Sequence, residues 1–259
     1  MTRLPAFLFG ALALTLLAGC NNSDNHALQG WVEADTIFVS PDEQGRVEYL
    51  KVQEGDKVAK DDLLFGLDDD LQKADVVVKQ AALSNAQQAF DRATQLLQSS
   101  AGTQKSVDDA WATLRQAKAN LEWSKTRLAR RRMVSPVTGV VQKVYFRPGE
   151  TVQPGKAVIA LLPPANIKIR FYAPETELAR IKIGETVVVT CDACATGLTA
   201  KVSFIADSAE YTPPVIYSRE ERAKLVFLIE ARPADPEKFR VGQPVTVTLP
   251  TEPAKGNAS

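Results

Sequence analysis

Cys191 and Cys194, three positions apart in the run CDAC, are the most reactive grouping in the sequence. Thiols at this spacing can close a local disulfide, exchange electrons, or supply half of a zinc site, which takes about four ligands. Donors to complete a metal site are scarce, because the chain has 3 cysteines, 1 histidine and 2 methionines, one of them the initiator. Thioredoxin-like chemistry wants such a pair at the opening of a helix after a strand. Here the apolar run Val187 to Thr190 leads into CDACATG, which reads as a turn. A local disulfide leads, with free thiols and a metal or redox pair behind it. The sole histidine, His26, lies in the polar run NNSDNHA and reads as a tether residue. Asp68, Asp69 and Asp70 stand where a helix should begin, a place that favours carboxylates, so they read as a cap before a metal site. No Ser-His-Asp, Cys-His or paired-carboxylate constellation is present, and neither enzymatic activity, a cofactor nor a resident metal is expected. Basic and acidic residues number 31 each, so the basic excess that nucleic acid requires is missing too.

The elements that carry these residues have two textures. The phrase GRVEYLKVQEGDKVAKDDLLFGL, Gly45 to Leu67, returns 94 positions later as GVVQKVYFRPGETVQPGKAVIAL, Gly139 to Leu161. Gly45, Val47, Gly55, Val58 and Leu67 fall without gaps on Gly139, Val141, Gly149, Val152 and Leu161. Each copy alternates apolar and polar residues and turns at Glu-Gly-Asp or Pro-Gly-Glu. One copy alone is a sheet too small to be stable, so the pair predicts one β-sandwich in two halves. Between the halves, Asp69 to Arg132 lacks proline and is rich in Ala, Gln, Lys and Leu, a helical composition. Val76, Leu83, Phe90 and Leu97 repeat every seven residues with Ala86 and Ala93 interleaved. After SSAGTQK the pattern resumes as Val107, Leu114, Leu121 and Leu128, with Ala110, Ala117 and Ser124. Large residues at one seam position and small ones at the other predict two closely packed antiparallel helices, about 40 Å long. Arg130, Arg131 and Arg132 close the second helix, where cations suit its dipole.

The N-terminal MTRLPAFLFGALALTLLAGC has one cation and then an apolar run too short for a bilayer span, which fits a secretory signal. Leu17, Ala18, Gly19 and Cys20 are similar to a bacterial lipobox, in which the cysteine carries acyl chains. The expectation is a protein outside the cytoplasm, held to a membrane through Cys20.

The opening GWVEADTIFVS, the divided phrase, the interposed hairpin, MVSPVTGVV (Met133 to Val141) and the ending VGQPVTVTLP together resemble the HlyD-like membrane fusion proteins. These are periplasmic adaptors of bacterial export systems. The stretch from Phe204 to Pro233 resembles the subgroup that accompanies ABC exporters. The resemblance implies a mixed fold, mainly β with an α-helical hairpin: a lipoyl-like split β-sandwich, a coiled-coil hairpin and a C-terminal β-barrel. Boundaries are expected at 1–19 (signal peptide), 20–28 (lipidated tether), 29–40 (N-terminal strand of the barrel), 41–68 and 134–163 (split lipoyl-like domain), 69–133 (hairpin), 164–250 (barrel) and 251–259 (flexible tail). A further membrane-proximal domain is expected to be missing or vestigial.

The family's hairpin tip carries an Arg, a Leu four residues on and a Ser seven further, which dock on a TolC-like outer-membrane channel. Arg92, Leu96 and Thr103 stand at those spacings, with threonine in place of serine. Positions four apart share a helix face, so Arg92 and Leu96 can present a cation and an apolar knob together. The implied partners are an inner-membrane exporter, ABC-type by the subgroup, and further copies of the chain in a ring, a hexamer by resemblance. The segment EYTPPVIYSREER between strands, with Tyr211, Tyr217 and Arg219, reads as an exposed loop that faces the transporter or stiffens the barrel rim. A proton-driven pump is the alternative partner. The family implies inner-membrane anchorage, although Asn21 after the lipid-bearing cysteine leaves the outer membrane open. Two other classes are weaker. A swinging-arm carrier would need a cofactor lysine, and the nearest, Lys73, lacks the usual flanks. A metal or substrate chaperone would want more Met and His.

Overall fold

The computed structural model describes residues 27–192, 194–211 and 225–249. The described residues form two compact units, one from Glu33–Ile167 and one from the described parts of the segments on either side of it. Strand β1 (Ala27–Ala34) belongs mainly to the second and β2 (Ile37–Val39) to the first. The stretch 29–40, expected as one barrel strand, is therefore two. Ile37–Val39 pairs with the sandwich strand that carries Ile159 and Leu161, and Val39 is buried in that core. Strand β1 also starts at Ala27, inside the expected tether.

The first repeat supplies β3 (Gly45–Leu50), β4 (Lys57–Val58) and β5 (Leu63–Leu67). Helices α1 (Asp70–Gln98) and α2 (Gln104–Ala129) follow, then β6 (Arg132–Val134). The second repeat supplies β7 (Gly139–Val144), β8 (Thr151–Val152) and β9 (Ile159–Leu162). These form two four-stranded sheets, ordered β2-β9-β7-β4 and β6-β5-β3-β8. Each repeat lends its two-residue strand to the other. Gly45 opposes Val152 and Arg46 opposes Thr151; 94 positions on, Val58 opposes Gly139 and Lys57 opposes Val140. The hydrogen bonds repeat as well: Val47 N–H donates to the Glu150 carbonyl (2.8 Å) and Val141 N–H to the Asp56 carbonyl (2.9 Å). Gly55 and Gly149 sit in the matching turns at φ +95°, a conformation that a side chain disfavours. Val47, Val58, Leu64, Phe65, Val141, Val152, Ile159 and Leu161 fill the shared core. Residues 132–134, assigned largely to the hairpin from the sequence, are strand because they pair with β5, Met133 opposite Phe65.

Helices α1 and α2 meet along the seven-residue pattern. Ala86 and Ala93 are buried against Leu114, Leu121 and Ser124, with Val76, Leu83, Phe90, Leu97, Val107, Ala110, Ala117 and Leu128 half-buried beside them. Alanines on α1 let the leucines of α2 approach closely. Asp75 accepts a hydrogen bond from Ser124 Oγ across the seam, and the Phe90 and Trp111 rings stand 5.5 Å apart.

The other unit adds β10 (Ile167–Pro174), β11 (Thr186–Thr190), β12 (Leu198–Ile205), β13 (Glu210–Tyr211), β14 (Leu225–Pro233) and β15 (Pro244–Thr248). Its order β10-β1-β15-β11-β12-β14 closes through a β10–β14 pairing, giving a six-stranded barrel with β13 attached outside β14. In β10, Ile167, Ile169, Phe171 and Ala173 point into the barrel and alternate with half-exposed Lys168, Arg170 and Tyr172, the period of a strand with one wet face. The architecture is the expected one: hairpin, split sandwich and barrel.

Candidate functional site: the hairpin tip and its anchorage

The free end of the hairpin is tightly built. The Ala101 N–H donates to the Leu96 carbonyl (2.8 Å) and the Ser100 N–H to the Leu97 carbonyl (3.0 Å), the bond pair of a Schellman stop. Ser100 takes the left-handed position at φ 60°. Gly102 lies so close to α1 that a Cβ there would stand 2.9 Å from the Leu97 nitrogen. Thr103 is the N-cap of α2, its hydroxyl accepting from the Ser106 N–H at 3.2 Å. Leu97 joins the seam, whereas Leu96 lies outside it and is 50% exposed. Arg92, one turn back on the same face, is exposed. The tip thus offers a cation and an apolar knob on a rigid end. The Thr103 hydroxyl is already engaged in capping.

At the other end the arginines do more than complement a dipole. Arg127 grips Glu43 with two hydrogen bonds, Nε to Oε1 at 2.8 Å and Nη2 to Oε2 at 3.0 Å. Arg130 reaches Asp42 at 3.1 Å. Arg131, only 7% exposed, donates to the Gln44 carbonyl at 2.9 Å and to Glu43 at 3.1 Å, and its Nε meets the Gln72 side-chain oxygen at 3.0 Å. One guanidinium therefore ties α1, the end of α2 and the segment before β3. Gly45 makes room for it, since a Cβ there would stand 2.6 Å from Arg131 Nη1. The hydrogen bond from Arg127 holds the Glu43 carboxyl below its ordinary range, with the charges of Arg131 and Arg130 adding to the shift. Asp68 is lowered chiefly by its hydrogen bond from Arg46, 2.7 Å away. Sequence reading missed this anchorage, although the acidic pair Asp42-Glu43 ahead of the first repeat was its visible half.

In the barrel unit the Cys191 and Cys194 sulfurs face each other as a disulfide, with Cα atoms 5.2 Å apart. Gln243 Nε2 donates to Cys191 Sγ at 2.9 Å, and its Oε1 accepts from the Arg240 N–H at 3.0 Å. Tyr211 belongs to β13, where its backbone opposes Leu225. Cys20, Tyr217, Arg219 and the segments 1–19 and 251–259 lie outside the described residues. Lys73 pairs with Asp69 at 2.5 Å and Asp70 at 3.7 Å. Among the described residues no three His, Cys, Asp or Glu side chains converge on a metal-sized site, and no helix is long and apolar enough to cross a membrane.

The first unit is a sandwich exchanged between two sequence halves with a coiled-coil hairpin inserted, and the second is a small barrel. The family model described as "RND MFP, barrel-sandwich hybrid domain" matches residues 35–162. A "UPF0194 membrane protein" of Acidithiobacillus ferridurans is 27% identical over 86% of this chain and 86% of its own. Among solved structures, the membrane fusion protein Spr0693 from Streptococcus pneumoniae superposes with a TM-score of 0.68 at 17% identity, covering 87% of this chain and 100% of that one. A MacA–MexA chimera carrying the Pseudomonas aeruginosa MexA α-hairpin gives 0.66 at 23%, covering 86% and 79%. The structural likenesses are ones of fold. Residues 35–162 are thus similar to the barrel-sandwich hybrid domain of membrane fusion proteins, and the fold as a whole is similar to that of solved membrane fusion proteins.

Proposed function

We propose that this protein is the periplasmic adaptor of a tripartite export system, joining an inner-membrane exporter to a TolC-like outer-membrane channel. One observation carries the reading. Arg92 and half-exposed Leu96 share a face at the free end of the hairpin, where the nearby seam residues Phe90 and Leu97 are half-buried between the helices. An apolar knob held on a stiff end, beside a cation, is suited to a groove between helices. Thr103 fixes the start of α2 behind that face. The chain is anchored through acylated Cys20, at the inner membrane, and the disulfide of Cys191 and Cys194 clips the β11–β12 connection. Copies form a ring, six by family resemblance.

The exporter is of the ABC type on the strength of the stretch Phe204 to Pro233, and the loop with Tyr211, Tyr217 and Arg219 faces it. The family model is described for RND systems, which favours a proton-driven pump as the second reading. Photo-crosslinking residues at Leu96 and at Tyr217 in the native host, with adducts identified by mass spectrometry, separate these. Leu96 is expected to capture an outer-membrane channel and Tyr217 an ABC permease. Capture of a proton-driven pump at Tyr217 overturns the exporter class; failure of both positions to capture a membrane protein overturns the bridge.

A further inference from the structure

From Gln80 to Phe90, three turns of α1 carry no charge at all, in a chain where 24% of residues are charged. Ala81, Ala82, Ser84, Asn85, Gln87 and Gln88 in this stretch are nevertheless exposed. A solvated helix face is normally laced with charges, and a neutral one of this length is cheap to cover.

The level of each residue along the hairpin follows from contacts across it. Asp75 meets Ser124 and Phe90 meets Trp111, so moving up α1 by fifteen residues moves down α2 by thirteen. On that scale Val78 lies within a turn of Trp123, Asn85 is level with Gln116, and Arg92 with Asp109. Each set repeats every seven residues, so each forms a straight row on its own helix. From base to tip the α1 row reads apolar, amide, cation, and the α2 row reads an aromatic ring overlaid by the Arg127 guanidinium, an amide, and an anion that also pairs with Lys105 at 2.9 Å. All six are exposed, Val78 at 61% and Trp123 at 59%. Beside the rows, Ala81 is level with Ala119, a small residue facing a small one.

The two rows lie on the outer edges of one hairpin and cannot meet each other. Rotation about an axis along the hairpin leaves levels unchanged, so in a closed ring the α1 edge of one copy meets the α2 edge of the next at equal height. We propose that these rows are the lateral contact between successive copies: Val78 on Trp123, Asn85 on Gln116, and Arg92 on Asp109. The occupant of the neutral α1 face is thus a second copy of this chain. The inference rests on the ring reading above, and it places Arg92 where lateral and channel contacts join.

The test uses the full lipidated chain in host membranes, oxidised with copper phenanthroline. Ala81→Cys with Ala119→Cys should give a ladder of disulfide-linked multimers. Ala81→Cys with Ala112→Cys, displaced by seven residues or about 10 Å, should give at least tenfold less. The outer edges of one hairpin are separated by the full width of two helices, beyond disulfide reach, so a ladder reports neighbours. An amine cross-linker run on the unaltered protein checks the ring independently. Rings without preferential laddering of the matched pair overturn the lateral rows alone; absence of any multimer overturns both readings.

Discussion

Replacing Arg131 by methionine should loosen the hairpin at its root. The arginine is 7% exposed and makes hydrogen bonds to the Gln44 carbonyl, to Glu43 and to Gln72. Breaking a buried ionic contact costs about 3–5 kcal/mol, and hydrogen bonds to a charged group contribute about 1.5–3 each. Two features pull the value toward the lower end: Glu43 is 40% exposed, and it keeps Arg127 as a partner. A loss of about 3 kcal/mol follows, equivalent to about 6–12 °C in Tm for a domain of this size. Urea unfolding followed at 222 nm reads it directly, because α1 and α2 supply most of the helix. Gly45→Ala should cost a similar amount, since its Cβ would sit 2.6 Å from the same guanidinium and 3.0 Å from Leu67 Cδ1. The double variant should fall short of the sum by about 1 kcal/mol or more, because one change removes what the other strikes. Arg131→Lys should rescue little, as an ammonium lacks the planar fork. A loss below about 1 kcal/mol for Arg131→Met, or full rescue by lysine, would refute the anchoring role.

Three further outcomes are expected. Val58→Ala and Val152→Ala, at equivalent places in the exchanged strands, should each lower stability by about 2 kcal/mol and agree to within about 0.5; a much larger difference would deny the equivalence of the halves. Ser100→Gly should raise the unfolding free energy by about 0.5–1 kcal/mol, read as a higher urea midpoint, because serine holds a left-handed position at the end of α1. The Glu43 carboxyl is lowered from 4.5 by its arginines, so its contribution is present above that pH and is lost as pH falls through the depressed value. Glu43→Gln should therefore flatten the acid limb of stability against pH, and an unchanged slope there would count against the ion pair.

The hairpin seam could be read from sequence because the seven-residue repeat is long and its small residues mark close approach. Ala86, Ala93, Leu114, Leu121 and Ser124 are the buried ones. The duplicated phrase announced a two-part sandwich. It did not announce that Lys57–Val58 and Thr151–Val152 change partners, since a two-residue strand has no periodicity and its pairing is decided at long range. The same shortness hid β2 and β6. At the tip, spacing placed Arg92 and Leu96 together on a face, but the capping role of Thr103 depends on a turn geometry that composition does not state. Arg131 resembled its exposed neighbours in sequence and differs from them only through burial.

Both ends of the hairpin are held at the same place in the sandwich, by Arg131 on one side and by β5 and β6 pairing on the other. The length of what lies between is thus mechanically free, provided that both helices change together. Adding one heptad to α1 and one to α2 would move the tip outward by about 10 Å, keep the seam in register and leave the core untouched. The span such a protein bridges is in this sense an adjustable ruler, graduated in whole heptads and independent of the fold that carries it.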